Sequence, residues 1–146
     1  MSGPHDPAVG FAPLARVILA DDHRPMLALA AAALAAFCTV LATVVNGRAL
    51  LAAVAALHPD LVVLDIGMPE MDGLEAARAI HLSHPEVRLV FLTVQEDADY
   101  ARAAFTAGGL GYVVKSRLAS DLLPAVRAAL EGRRFLSPGV SLDAPN

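Results

Sequence analysis

An α/β fold with a doubly wound, five-stranded parallel sheet is what this sequence predicts, and three observations predict it. Short aliphatic runs recur five times: "RVILA" at 16–20, the β-branched stretch around Val40 to Val44, "LVVLD" at 61–65, "RLVFLT" at 88–93 and "YVVK" at 112–115. These runs are nearly continuous in apolar residues, as in strands buried on both faces. Helical segments lie between them, so strand and helix alternate along the chain in five βα units. The 146 residues suit one domain with a sizeable core and are too few for two of ordinary size.

Each element has a local reason. The first strand ends at Asp21-Asp22, and a helix follows from about Pro25 to Phe37, with Pro25 in its first turn, where a missing N–H costs nothing. After the second strand, Asn46-Gly47 opens a helix with Leu50, Leu51, Val54 and Leu57 on one face, and Pro59 ends it. The third strand stops at Asp65, and Gly67, Pro69 and Gly73 build the turn into a helix over Leu74 to Leu82. Residues 96–107 form the next helix, which stops at Gly108-Gly109. Ser120 is placed to N-cap the last helix, with Leu122, Leu123, Val126 and Leu130 inward, Pro124 in the first turn and Gly132 at its end. Residues 1–15, rich in Pro and Gly, read as a loose arm, 16–132 as the domain, and 133–146 as a tail or the start of a linker.

Composition excludes several classes. Net charge is −4 with no Lys/Arg-rich run, so the chain has no electrostatic footprint for nucleic acid. The lone cysteine, Cys38, rules out an internal disulfide and fits a small core residue in a reducing compartment. From Met26 to Val45 no charge occurs, a stretch long enough to span a bilayer. Its second half, "TVLATVV", is β-branched and stopped by Asn46-Gly47, so it reads as a helix followed by a strand. The first 15 residues carry no Lys or Arg, against a secretory signal. The expected setting is cytoplasmic, without membrane contact.

Ligand sites in such folds lie outside the carboxyl ends of the strands, near the switch in strand order. The residues there are Asp21 and Asp22, Asp65, Thr93 and Lys115. Singly each has an ordinary explanation as a turn, a cap or a strand end. Right-handed parallel topology brings them to one rim, and that joint placement is the signal. Three carboxylates packed together repel, and a hard divalent cation relieves them; oxygen ligands that leave room for waters favour Mg²⁺. With a cation bound, Asp65 can attack a phosphoryl group to form an acyl phosphate. Lys115 would neutralise phosphoryl oxygens and the Thr93 hydroxyl would donate to one of them.

The set "ILADD", "LVVLDIGMPEMDG", "FLT" and "GYVVK" resembles the receiver domain of bacterial two-component response regulators, over about residues 16–132. The resemblance implies a flavodoxin-like (βα)5 fold and a phosphorylation switch rather than a turnover enzyme. It implies Asp65 as phosphoacceptor, with Asp22, Asp65 and the Gly67 backbone carbonyl holding Mg²⁺ and Asp21 contributing through water. Thr93 and Tyr112 would be the switch pair, Tyr112 turning inward behind Thr93. The partner implied is a sensor histidine kinase. "DDH", "GYVVKS" and "EGRRFLSP" are similar to the NarL/FixJ type, which continues into a LuxR-type DNA-binding domain, so DNA would be reached only through a domain this chain lacks. A stand-alone receiver, acting by protein–protein contact or as a phosphorelay intermediate, is the alternative; the linker-like "RRFLSP" leans toward truncation.

Two rivals fit less well. A haloacid-dehalogenase-like hydrolase places a second acid two residues after the nucleophile, where this chain has Gly67; an FMN module wants a Gly/Ser/Thr-rich loop where it has "DDHRPM". Three positions depart from the commonest receiver pattern. Ser116 follows Lys115 where proline, often after a cis bond, is common, and a cis bond to Ser costs roughly 2.5–4 kcal/mol, which leaves that geometry open. Val94 follows Thr93 where a smaller residue is usual and would narrow access to Asp65. "LALAAAALAAF" has no charge on its outer side, so the first helix is either a bland alanine surface or part of a homodimer or partner interface.

Overall fold

The structure, a computed structural model, describes residues 14–142. The arm expected over 1–15 lies almost wholly outside the described residues, as do residues 143–146. In chain order the elements are β1 (Ala15–Ala20), α1 (Arg24–Leu34), β2 (Cys38–Val44), α2 (Gly47–Leu57), β3 (Leu61–Leu64), α3 (Gly73–Ser83) and β4 (Arg88–Thr93). They continue with α4 (Ala98–Thr106), β5 (Gly111–Val114), a 3-10 turn (Lys115–Arg117), α5 (Leu118–Leu130) and β6 (Phe135–Leu136). The sheet order is β2-β1-β3-β4-β5-β6 and every pairing is parallel. All five expected strands are present. The sixth is an addition, formed within the stretch expected as tail or linker, where Phe135 and Leu136 align with Gly111 and Tyr112.

The central strands are apolar on both faces because both faces are covered. Along β3, Leu61 and Val63 join one core with Leu27, Ala30 and Leu34 of α1 and Leu122, Ala125 and Val126 of α5. Val62 and Leu64 join the other, with Leu50 and Val54 of α2, Ala76 and Ile80 of α3, and Ala101 and Phe105 of α4. Period-two alternation therefore distributes apolar residues between two cores instead of between core and water. Burying side chains of this size on both faces gives roughly 1.5–3 kcal/mol each and keeps the strand ends rigid.

Residues 26–45 resolve into α1, a turn and β2, and among the described residues no helix is long and apolar enough to cross a membrane. Cys38 is buried in the core beside α1 and α5, and burial raises its thiol pKa, with Arg127 opposing. It has the character of a core residue. Asn46 caps α2, its side-chain oxygen accepting from the Ala49 N–H at 2.7 Å.

The start of α5 differs from expectation. The 3-10 turn runs directly into the helix at Leu118, so Ser120 lies inside the helix instead of capping it. Its hydroxyl donates to the Asp121 carboxylate at 2.9 Å. The earlier start moves Pro124 past the first turn and into the helix, where it removes the N–H that the Ser120 carbonyl would accept. Pro124 and Ser120 are both exposed, so water can serve that carbonyl. The Lys115–Ser116 bond is trans, since no cis peptide occurs among the described residues.

Candidate functional site

Asp21 follows β1, Asp65 follows β3, Thr93 ends β4 and Lys115 follows β5, all at one edge of the sheet. Register places them side by side. Ala20 aligns with Leu64, Leu64 with Phe91 and Thr93 with Val114, so the strands reach the rim nearly level. The reversal of strand order lies between β1 and β3, where Asp21 and Asp65 stand.

One ammonium joins the carboxylates. Lys115 Nζ lies 2.7 Å from Asp21 Oδ2 and 2.9 Å from Asp65 Oδ2, and all three side chains are at most 9% exposed. The remaining oxygens take backbone donors: the His23 N–H donates to Asp21 Oδ1 at 2.9 Å and the Ile66 N–H to Asp65 Oδ1 at 2.7 Å. Burial alone would lower the Lys115 pKa, but the hydrogen bonds and charges of Asp21 and Asp65 outweigh it and hold it above its usual value. The ammonium is thus kept charged.

Asp22 is exposed at the mouth of the crevice, and one oxygen from each of Asp21, Asp22 and Asp65 can be chosen so that all lie within 4.8 Å of one another. Three carboxylates against one ammonium leave two negative charges over. That excess, on hard oxygen donors, fits a small divalent cation.

The switch candidates meet at one residue. The Gln95 N–H donates to Thr93 Oγ1 at 3.3 Å, and the Tyr112 hydroxyl donates to the Gln95 carbonyl at 2.7 Å. Tyr112 is fully buried, so its ring already lies inside the protein. Burial raises its pKa most, with the charges of Asp65 and Asp97 adding to it and a smaller push from Tyr100. Val94 is 65% exposed beside Thr93.

The loop after Asp65 is shaped less by Gly67 than the sequence suggests. Gly67 is exposed, and a Cβ there would meet nothing within 4 Å. The tight point is Gly73, where a Cβ would fall 1.9 Å from the Asp65 carbonyl oxygen, while the Gly73 N–H donates to the Ile66 carbonyl at 2.7 Å. Gly47 does the same from α2, with a would-be Cβ 2.3 Å from the Met71 carbonyl oxygen. The loop is clamped from both sides, and Glu70 absorbs the bend at φ 70°.

The response regulator receiver domain matches residues 17–127. The chain belongs to this receiver family. It is 35% identical over 85 residues to the response regulator GacA of Pseudomonas viridiflava, a match covering 58% of this chain and 40% of GacA. It is 34% identical over 122 residues to a putative transcriptional regulator of Pseudomonas aeruginosa, covering 82% of this chain and 58% of that protein. The chain thus spans about half, or less, of the length of these relatives. Among solved structures, a two-component response regulator of the LuxR family from Aurantimonas sp. superposes with a TM-score of 0.83 at 31% identity, over 87% of this chain and 92% of the other. The receiver domain of the putative NarL from Mycobacterium tuberculosis gives 0.79 at 26% identity, over 84% and 100%.

The receiver also contains a polar cluster that sequence reasoning missed. Asp121 and Ser137 are 4% and 1% exposed, and they connect with Arg117 and Ser120 behind Lys115. The only hint is the serine of "FLSP", which is indistinguishable from a linker residue until β6 is seen to pair.

Proposed function

We propose that Asp65 accepts a phosphoryl group from the phosphohistidine of a sensor histidine kinase, in a Mg²⁺-dependent step, and that the acyl phosphate switches an output. The observation that carries this reading is the buried Lys115 ammonium shared between Asp65 and Asp21, with Asp22 at the mouth. Of the three carboxylates, Asp65 follows the strand flanked by β1 on one side and β4 on the other. A phosphoryl group on Asp65 therefore has Asp21 and Asp22 for a cation on the β1 side and Thr93 on the β4 side, with the Lys115 ammonium within reach of both Asp65 and Asp21.

In the transfer, a carboxylate oxygen of Asp65 attacks phosphorus, the P–N bond to the donor imidazole breaks, and the imidazole leaves with the electron pair. Lys115 moves from the Asp65 oxygen to a phosphoryl oxygen and stays positively charged. The Thr93 hydroxyl accepts from Gln95 at rest, so its own hydrogen is available to donate to another phosphoryl oxygen. Asp21, Asp22, Asp65 and the Gly67 carbonyl would hold Mg²⁺, which supplies neutralisation of phosphoryl charge when bound. When Thr93 turns to the phosphoryl group, the Gln95 backbone loses one partner while still holding Tyr112 through the other. The β4–α4 loop is then the bistable element biased by phosphorylation.

Relatives named as transcriptional regulators support an output in transcription, through a LuxR-type DNA-binding domain outside this chain. The setting is cytoplasmic. A second copy of the chain is a further partner, across the face of α1 where Leu29 is 57% exposed; strictly monomeric sedimentation with and without phosphorylation would remove it.

The test is intact-mass spectrometry after incubation with acetyl phosphate, with and without Mg²⁺. The receiver gains one phosphoryl group only with Mg²⁺, and Asp65→Asn gains none. A receiver that stays unmodified at short times and low temperature would refute the proposal.

A further inference from the structure

Lys115 opens a 3-10 turn between β5 and α5, and its ammonium sits at the end of a long flexible side chain. The turn's backbone is the fixed end of that side chain, so how the backbone is held limits which oxygens the ammonium can reach. Both neighbouring stretches are tied to the same group. On the strand side, the Val114 N–H donates to the Ser137 hydroxyl at 3.1 Å. On the helix side, Arg117 donates Nε to Asp121 Oδ2 at 2.8 Å and a terminal nitrogen to Oδ1 at 3.3 Å. The two sides meet where the Ser137 hydroxyl donates to Asp121 Oδ2 at 2.7 Å, and Ser120 donates to the other oxygen at 2.9 Å.

A carboxylate this deeply buried is tolerated because it is fully partnered, and breaking one member leaves the others exposed to the desolvation penalty. Ser137 is itself fixed by β6. Its N–H donates to the Tyr112 carbonyl at 2.9 Å, and the Phe135 N–H to the Leu110 carbonyl at 2.9 Å. The turn has serine after Lys115, so no proline ring stiffens it.

We propose that Ser137, acting through Asp121, is a positioning residue that sets the Lys115 turn and so aims its ammonium at Asp65. Ser137 lies ten residues beyond the family match, which ends at residue 127. The phosphorylation site is then completed by the segment after α5, and displacement of β6 is felt at Lys115. The inference rests on the reading of Asp65 and Lys115 given above.

Two readouts test it on Ser137→Ala, on Asp121→Asn, and on Val54→Ala as a destabilised control in α2, which contributes nothing to this cluster. The first is the rate of acyl-phosphate formation from acetyl phosphate with Mg²⁺. The second is protection of the Lys115 ammonium protons from exchange, read by NMR in the unphosphorylated protein. Both cluster variants lose roughly tenfold in rate, the usual size for a group that orients a functional one, and the ammonium loses its protection. Val54→Ala keeps both. A Ser137→Ala protein matching Val54→Ala in both readouts overturns the proposal. If the wild type takes no phosphate, the reading of Asp65 fails separately, and the Lys115 signal alone decides: lost protection supports the positioning role, retained protection overturns it.

Discussion

At Lys115 a single buried cation holds two carboxylates, and that arrangement has a cost if the cation is removed. Lys115→Met leaves Asp21 and Asp65 buried without their partner. Breaking a buried pair in this way destabilises by about 3–5 kcal/mol. Chemical denaturation without Mg²⁺ measures that loss. Adding Mg²⁺ restores part of it, because a cation bound to the folded site alone stabilises by mass action. Gly73 gives a prediction of a different kind. Its Cα lies against the Asp65 backbone with no room for a methyl group, so Gly73→Ala pushes directly on the loop after Asp65. Overpacking of this sort costs roughly 1–3 kcal/mol. Urea unfolding should show a lowered midpoint with unchanged slope, while Gly67→Ala, with open space around it, leaves stability nearly as it was.

Among the elements, the five strands and five helices were legible because their signals are local. The runs "LVVLD" and "RLVFLT" are short, rich in β-branched or aromatic residues and bounded by turn residues, which reads as buried strand, and Asn46 and Pro59 bracket α2 by chemistry that acts within a turn. The strand-end residues were legible because parallel topology fixes where they gather. What escaped depends on contacts distant in sequence. β6 has two residues and no intrinsic signal; it exists because β5 offers an edge for Phe135 and Leu136. The start of α5 was misplaced because Ser120 reads as a cap, whereas the helix is begun by the 3-10 turn and Asp121 is held by Ser137, sixteen residues on. In sequence Gly73 reads as a turn former, but its need comes from the Asp65 carbonyl eight residues away.

The Asp121 cluster also carries a pH signature for this element. Burial would raise the Asp121 pKa, but hydrogen bonds from Arg117, Ser137 and Ser120 and the Arg117 charge hold it below its ordinary value of 3.8. A depressed folded-state pKa contributes stability that is fully present above the unfolded value and is lost as pH falls through the folded one. The stability difference between wild type and Asp121→Asn should therefore be constant above about pH 5 and shrink as pH falls below 3.8. Denaturant titrations at a series of pH values check it. A difference that grows on acidification would contradict the assigned partners.

Over the whole molecule, a sheet apolar on both faces leaves charge to the ends of its strands, and the switch in strand order singles out the carboxyl end beside Asp65. The net charge of −4 gives the chain an overall field that favours cationic over anionic partners. The central claim is that the acyl phosphate forms on Asp65 and on neither of its neighbours. Borohydride trapping of the protein after brief exposure to acetyl phosphate and Mg²⁺, followed by peptide sequencing in the mass spectrometer, reads the position of the acyl bond directly. Reduction at Asp65 alone, abolished when Mg²⁺ is chelated, is the predicted result. Reduction at Asp21 or Asp22, or equal labelling without Mg²⁺, would contradict it.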